Sequence, residues 1–173
     1  MILTNYWKLL MNMVYDNETT SNTHNLIDTN GTVFSNYVHS HPTNSTIAPI
    51  YWNGIKLRNF DGFVIGDGSV AGSPTDYNLS GNDITDHITN ARLVIDSSSE
   101  SGRFNTSIII SGEYNWNNNP FTIREFGLYK NILVTEPATS STRRVLVAKS
   151  VLEEPIQMTV GSSFRIVADW IQS

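Results

Sequence analysis

The sequence predicts an all-β protein: an antiparallel β-sandwich, of jelly-roll or immunoglobulin-like type, with a short helix or anchor at its N-terminus. Apolar and polar residues alternate through the last third of the 173-residue chain, which is the period of a strand with one buried face. Charged residues make up only 16% of the chain, which also has 11 glycines and 10% aromatic residues. This composition is typical of a loop-rich β domain, and the length is enough for one substantial core.

Three strands are predicted near the C-terminus. Residues 164–170 alternate between apolar and polar positions, and residues 156–160 do the same. Residues 145–152 are apolar on both faces except at Lys149 and Ser150, so they predict a central strand that is covered on both sides.

A fourth strand, over residues 121–129, carries an irregularity. Its apolar phase changes at Arg124 and Glu125, and such a slip predicts a β-bulge. Because an unpaired charge would be costly there, we expect one of these two side chains to be held in a local polar network. Pro155 has no backbone N–H to donate, so it is expected at a corner between strands.

The middle of the chain predicts further strands and turns. Asn53-Gly54, between two short apolar runs, indicates a hairpin with a type I′ turn. Residues 63–65 begin a strand that leads into a long loop rich in Gly, Ser, Pro and Asp. Residues 91–95 and 106–111 form two more predicted strands, joined by a polar turn.

The N-terminal residues 2–14 predict a short helix with a wide apolar stripe. Two interpretations are open: the stripe packs on its own domain, or it is an anchor that is buried in a partner subunit. Aromatic side chains so near a terminus favour an anchor, because they dominate interface energetics. The anchor candidates are Leu3, Tyr6, Trp7, Leu10 and Met13.

Residues 16–46 are polar throughout and predict a long arm with at most one short strand, near residues 32–38. We therefore expect residues 1–46 to be a docking segment and residues 47–173 to be the β-sandwich domain.

Several function classes are disfavoured by composition. The formal net charge of −5 argues against nucleic acid as a partner, and the lack of cysteine excludes disulfides and thiolate metal sites. No apolar run reaches membrane-spanning length, and the N-terminus lacks the features of a signal peptide. No cofactor and no membrane partner are expected.

No catalytic constellation stands out. Gly66, Gly68 and Gly72 are not followed by Lys-Ser/Thr or a helical pattern, so a structural turn is favoured over a phosphate loop. His39 and His41 lie in a loop-like segment without a third ligand. The sequence therefore predicts no enzymatic activity and no metal site.

One candidate binding surface lies around residues 114–119. Tyr114 and Trp116 offer aromatic faces on which a sugar ring can stack, and neighbouring amides such as that of Asn118 can read its hydroxyl groups. The competing interpretation places one aromatic in the core and treats the Asn run as a turn.

Three motifs resemble a group of tailed-bacteriophage virion proteins of the head-fibre or tail-fibre type. The first is the loop "FVIGDGSVAGSPTDYNL", the second is the strand "FTIREFGLYK", and the third is "VLVAKSVLEEPIQMTVGSSFRIVADWI". Their order and spacing span about two-thirds of the chain. The chain departs from the group at Lys149, where the group carries Arg, and at Ala168-Asp169-Trp170, where the group has Thr-Tyr-Thr.

The resemblance implies a β-sandwich building block of a virion, without enzymatic activity, that assembles as a homo-oligomer, a trimer being one form. Its partners would be other capsid or tail proteins. A capsid auxiliary or head-fibre protein is the preferred interpretation. A tail or baseplate fibre adaptor and a carbohydrate-binding adhesin that contacts host glycans are the alternatives.

Overall fold

The computed structural model describes residues 2–3, 25–34, 37–38, 61–100, 103–116, 119–135 and 140–172. Strands dominate this part of the chain, every strand pair is antiparallel, and it contains no α-helix, so the all-β prediction is confirmed. One 3₁₀ turn lies at Thr85–His87. The strands are β1 (Ile2–Leu3), β2 (Leu26–Ile27), β3 (Val33–Phe34), β4 (Tyr37–Val38), β5 (Gly62–Gly66), β6 (Ile88–Glu100), β7 (Arg103–Tyr114), β8 (Phe121–Thr135), β9 (Ser140–Met158) and β10 (Ser163–Gln172).

The larger sheet has five strands and is centred on β8. Strand β9 pairs with one edge of β8. Strands β5 and β4 pair with the other edge of β8, at different positions along it, and β1 pairs with β9. Residues 145–149 of β9 are all buried, which confirms the prediction of a strand covered on both faces.

The smaller sheet has three strands in the order β10-β7-β6. Phe164 and Ile166 of β10 are buried, whereas Arg165, Val167 and Asp169 between and after them are exposed. This is the predicted alternation of a strand with one face in the core. A third, two-stranded sheet consists of β2 and β3.

Both larger sheets contribute to one hydrophobic core. Each side chain buried there stabilises the fold by roughly 1.5–3 kcal/mol relative to exposure. The five-stranded sheet, with the turn that precedes β6, supplies one set of core residues and the three-stranded sheet supplies the other. The members include Phe63, Ile65, Ile84, Ile123, Phe126, Leu128, Ala148 and Met158 from the first set, and Ile88, Ile108, Ile110, Tyr114, Phe164 and Ile166 from the second.

The predicted irregularity at Arg124 and Glu125 is present. Ile123 pairs with Ile156 and Glu125 pairs with Val151, so a single residue of β8 lies opposite residues 152–155 of β9. Pro155, expected at a corner between strands, lies in this unpaired stretch within β9. Its missing N–H explains why the ladder is interrupted there.

The N-terminal helix predicted for residues 2–14 is not seen. Ile2 pairs with Lys149 and Leu3 pairs with Ala148, so the first two described residues form an edge strand of the larger sheet. Their backbone groups are used by β9, which is incompatible with a helix starting at residue 2. Residues 4–14, the hairpin expected at Asn53-Gly54 and the predicted domain boundary after residue 46 lie outside the described residues.

Two further segments differ from expectation. The polar stretch between residues 95 and 106, predicted as a turn, continues both strands until Glu100 pairs with Arg103. A polar composition does not prevent this pairing, because the partner strand supplies the backbone hydrogen bonds. Residues 25–38, predicted as an arm with at most one strand, hold the three short strands β2, β3 and β4.

Candidate functional site

The most distinctive polar site is built around the carboxylate of Glu125, which has no exposed surface. Gly66 at the end of β5 pairs with Glu125 of β8, so the loop that follows β5 starts beside this carboxylate. The Ser80 N–H and hydroxyl donate to its Oε2 at 3.1 and 2.8 Å. The Gly81 N–H donates to its Oε1 at 2.7 Å. Glu125 thus binds the far end of the loop, 45 residues earlier in the chain.

Lys149 supplies the opposite charge. It lies on β9 opposite Gly127, its side chain is 2% exposed, and its Nζ lies 3.3 Å from Oε2 of Glu125. The same Nζ donates to Oδ2 of Asp76 at 3.2 Å. Asp76 Oδ2 also accepts the Ser73 N–H at 3.0 Å. We call Asp76, Ser80, Gly81, Glu125 and Lys149 the Glu125 network.

The loop can approach Glu125 this closely because it has glycine at two positions. A Cβ atom on Gly68 would overlap Oε1 of Glu125, Oγ of Ser80 and the Gly81 nitrogen. A Cβ atom on Gly81 would overlap Oδ1 of Asp67 and the backbone of Gly68. Any larger residue at these positions would push the loop off the carboxylate.

The base of the loop is closed by a second set of contacts. Asp67 accepts the Asn82 N–H at 2.7 Å and the Asn82 side-chain amide at 3.1 Å. The Ile84 N–H donates to the Ile65 carbonyl at 3.0 Å, and a β-bridge joins Gly66 to Asp83. The loop is therefore held both at its neck and at its centre.

The chemistry of this arrangement is fixation of a loop. Both oxygens of Glu125 accept hydrogen bonds from the loop, and both carboxylates that contact Lys149 are also bonded to loop backbone N–H groups. A buried charge is tolerated when it is paired and hydrogen-bonded in this way. Among the described residues there is no group of three or more His, Asp or Glu side chains that could hold a metal ion.

Comparisons of this chain with protein-family models, with curated proteins and with solved structures find no match. In the part of the chain that the structure describes, no helix is long and apolar enough to cross a membrane.

The predicted glycan surface does not form as expected. Tyr114 has no exposed surface and its hydroxyl donates to the Asn119 carbonyl at 2.7 Å, so it is a core residue and the expectation that it contacts a sugar is wrong. Its position on β7 explains this, because Tyr114 lies in phase with Ile108 and Ile110, which face the core.

Trp116 is partly exposed, and one face of its ring is covered by His87. The two ring centroids are 4.1 Å apart and the planes are 5° from parallel. Asn118 lies outside the described residues. Of the three predicted glycan contacts, only Trp116 keeps some accessible surface among the described residues.

The anchor candidates are only partly placed. Leu3 lies in β1, paired with Ala148, whereas Tyr6, Trp7, Leu10 and Met13 lie outside the described residues. The expectation that one of the two charged residues at the bulge is held in a polar network is confirmed for Glu125. The partners Asp76 and Ser80 were missed, because a loop contact across more than 40 residues leaves no local periodicity in the sequence.

Proposed function

We propose that the protein is a non-enzymatic structural component of a tailed-phage virion, most closely suited to a capsid auxiliary or head-fibre role. The observation that carries the proposal is the convergence of the three motifs on the Glu125 network. The loop motif supplies Asp76, the strand motif supplies Glu125, and the C-terminal motif supplies Lys149.

This convergence gives the motif spacing a physical cause. Lys149 and Asp76 are separated by 73 residues, yet their charged groups are 3.2 Å apart. Residues that meet in a buried network must be retained together, because loss of one leaves a charge without its partner. The resemblance then reflects a common scaffold, and the virion role follows from that resemblance.

The proposal includes a β-sandwich as the scaffold. The two larger sheets contribute opposite sets of residues to one hydrophobic core, which is how sheets pack face to face. A rigid core with a loop fixed by an ion-pair network suits a protein whose task is to resist deformation in a particle rather than to turn over a substrate.

The test is the presence and position of the protein in particles purified from the phage that carries its gene. We expect peptides of this chain in gradient-purified particles, and density for it on the head in a particle reconstruction. Its absence from washed particles would overturn the virion proposal. Density at the baseplate or fibres would overturn the head assignment and favour the adaptor alternative.

We also propose that the N-terminal residues anchor the protein in a partner subunit, and this part of the proposal has its own test. Changing Tyr6, Trp7, Leu10 and Met13 to Ser together leaves both residues of β1 unchanged and removes four of the five anchor candidates. We expect a folded protein that no longer joins particles. The control is Val70→Ser, which removes an apolar side chain that is 65% exposed on the fixed loop. Normal incorporation of the fourfold variant would contradict the anchor.

A further inference from the structure

Strand β10 has an open edge. It pairs with β7 in continuous register from Ser163 to Gln172, without the irregularities found in the other long pairs. Within the described ranges, no strand pairs with its other side. A long, regular and unpaired edge is a template for another strand of the same length.

The direction of the free backbone groups follows from the hydrogen bonds at the start of the pair. The Tyr114 N–H donates to the Ser162 carbonyl, and the Gly161 N–H donates to the Tyr114 carbonyl. Because hydrogen-bonded positions alternate along an antiparallel pair, Phe164 and Ile166 direct their backbone groups to β7. The backbone groups of residues 165, 167 and 169 therefore point to the open edge.

The side chains of the same three residues are exposed. Arg165, Val167 and Asp169 occupy the outer face of the sheet, and Val167 keeps 47% of its surface accessible. In the described part of the chain, no salt bridge or side-chain hydrogen bond involves Arg165 or Asp169. Val167, an exposed apolar residue, thus has a positive charge two residues before it and a negative charge two residues after it.

The sheet itself does not neutralise these charges. Across β7, the register places Arg165 in one row with Ser111 and Arg92. It likewise places Asp169 in one row with Ser107 and Asp96. Each row therefore holds two like charges. An antiparallel strand with the same charge order, added at the open edge of β10, would place an opposite charge beside Arg165 and beside Asp169.

We infer that β10 pairs antiparallel with β10 of a second copy of this chain, across a two-fold axis at Val167. In this register Val167 faces its own counterpart, and Arg165 faces Asp169 of the second copy on both sides of the axis. Residues 165, 167 and 169, whose backbone groups point to the open edge, form hydrogen-bonded pairs with the same three residues of the second copy. Two three-stranded sheets become one continuous six-stranded sheet. A parallel arrangement would place Arg165 beside its own counterpart and is disfavoured.

The opposite edge of the sheet, β6, carries a similar charge pattern but is less suited to pairing. Its register is broken between Thr89 and Arg92, and Asn90 has a positive φ of 51°. Such a kink twists an edge away from regular pairing. Val94, the counterpart of Val167 on β6, is also partly buried. Strand β6 therefore provides a matched control within the same sheet.

The first test uses charge reversal on the purified full chain, measured by sedimentation equilibrium over a range of concentrations. We expect wild type to form a species of twice the 19.3 kDa chain mass. Either R165D or D169R alone should raise the dimer dissociation constant by roughly tenfold or more, since each places like charges opposite one another at two symmetric positions. The double variant R165D/D169R should restore dimerisation, because exchanging both charges regenerates both pairs. R92D and D96R on β6 should have no effect.

The second test uses the lack of cysteine in the chain. Facing residues of a hydrogen-bonded antiparallel pair have Cα atoms about 5.5 Å apart, which a disulfide can span. V167C should therefore give a disulfide-linked dimer under mild oxidation. V160C, at a valine of similar exposure in the turn before β10, should remain largely uncrosslinked.

A monomeric or trimeric wild type, failure of the double variant to restore association, or equal crosslinking of V160C would overturn this inference. The outcome is independent of the virion proposal, since these experiments need only the purified protein.

Discussion

The ammonium group of Lys149 lies 3.3 Å from the carboxylate of Glu125, and neither side chain is more than 2% exposed. This pair joins the two central strands of the larger sheet and, through the Ser80 and Gly81 backbone, fixes the loop between β5 and the 3₁₀ turn. Removing one member takes a neighbouring counter-charge away from the other buried charge, and such a loss costs more free energy of unfolding than an intact buried pair contributes.

Glu125→Gln should lower the free energy of unfolding by about 3 kcal/mol, because Lys149 then keeps only the more exposed Asp76 as a counter-charge. Urea unfolding followed by tryptophan fluorescence measures this. The control is Glu153→Gln, at an exposed glutamate on β9, which should change stability by less than about 0.5 kcal/mol. Equal effects of the two substitutions would contradict the role of the network.

Lys149→Arg should be tolerated, with a loss of less than about 1 kcal/mol, because the guanidinium can contact both carboxylates. Lys149→Met removes the charge while keeping the apolar stem, and should cost about 2 kcal/mol more than the Arg variant. The two variants are compared by thermal and urea unfolding, and an Arg variant as unstable as the Met variant would count against an electrostatic role.

Gly68→Ala should release the fixed loop. The added methyl group would overlap the Glu125 carboxylate and the Gly81 backbone, so we expect a loss of about 2 kcal/mol or more and faster amide exchange at Ser80 and Gly81. Gly161→Asn is the control, because nothing lies within 4 Å of a Cβ there and Asn tolerates its positive φ of 82°. Unchanged exchange in Gly68→Ala would show that the loop can shift without loss.

Stability should fall at alkaline pH because of Tyr114. Burial raises the pKa of its hydroxyl above the usual 10.0. The unfolded chain releases this proton near pH 10 whereas the folded protein retains it, so the stabilisation is complete below that pH and is lost as pH rises through the folded-state pKa.

Tyr114→Phe should remove this part of the alkaline decline and cost about 1 kcal/mol at neutral pH, because the Asn119 carbonyl loses its donor. Urea unfolding between pH 7 and about 11 provides the profile. Tyr77→Phe, at a side chain that is 43% exposed, is the control for loss of a tyrosine hydroxyl at the surface. An identical alkaline decline in wild type and Tyr114→Phe would contradict the assignment.

Asp28→Ala should detach the β2–β3 hairpin from β9. Asp28 is 1% exposed, accepts the Asn30 and Thr32 N–H groups at 2.9 and 2.8 Å, and pairs with Arg143 at 3.0 Å. We expect a loss of about 2 kcal/mol and increased amide exchange confined to residues 25–34. Asp86→Ala, at an exposed residue of the 3₁₀ turn, should leave exchange in that segment unaltered.

The local sequence pattern was sufficient to predict β10, which buries one face, and the central part of β9, which is buried on both faces. The alternation in β10 and the apolar run in β9 predict both strands. Burial of one face imposes an alternation of apolar and polar residues, whereas burial of both faces makes the strand apolar throughout. The phase change at Glu125 likewise predicts the irregularity with β9, since an extra residue on either strand reverses every following side chain. At the N-terminus the apolar stripe predicted a helix, but Ile2 and Leu3 pair with β9 because tertiary pairing overrides a weak local propensity.

The sequence by itself determined an all-β chain, the strands near its C-terminus, and a bulge where a charge had to be held. Only the tertiary structure decided which partners hold that charge, that Tyr114 is a core residue, and that β10 presents an open edge with Arg165 and Asp169 on either side of Val167. The physical reason is the separation in sequence between the residues that interact. Periodicity records which side of a strand meets the core. Contacts between residues 45 or 73 positions apart depend on how the sheets are arranged, and no local pattern encodes that arrangement.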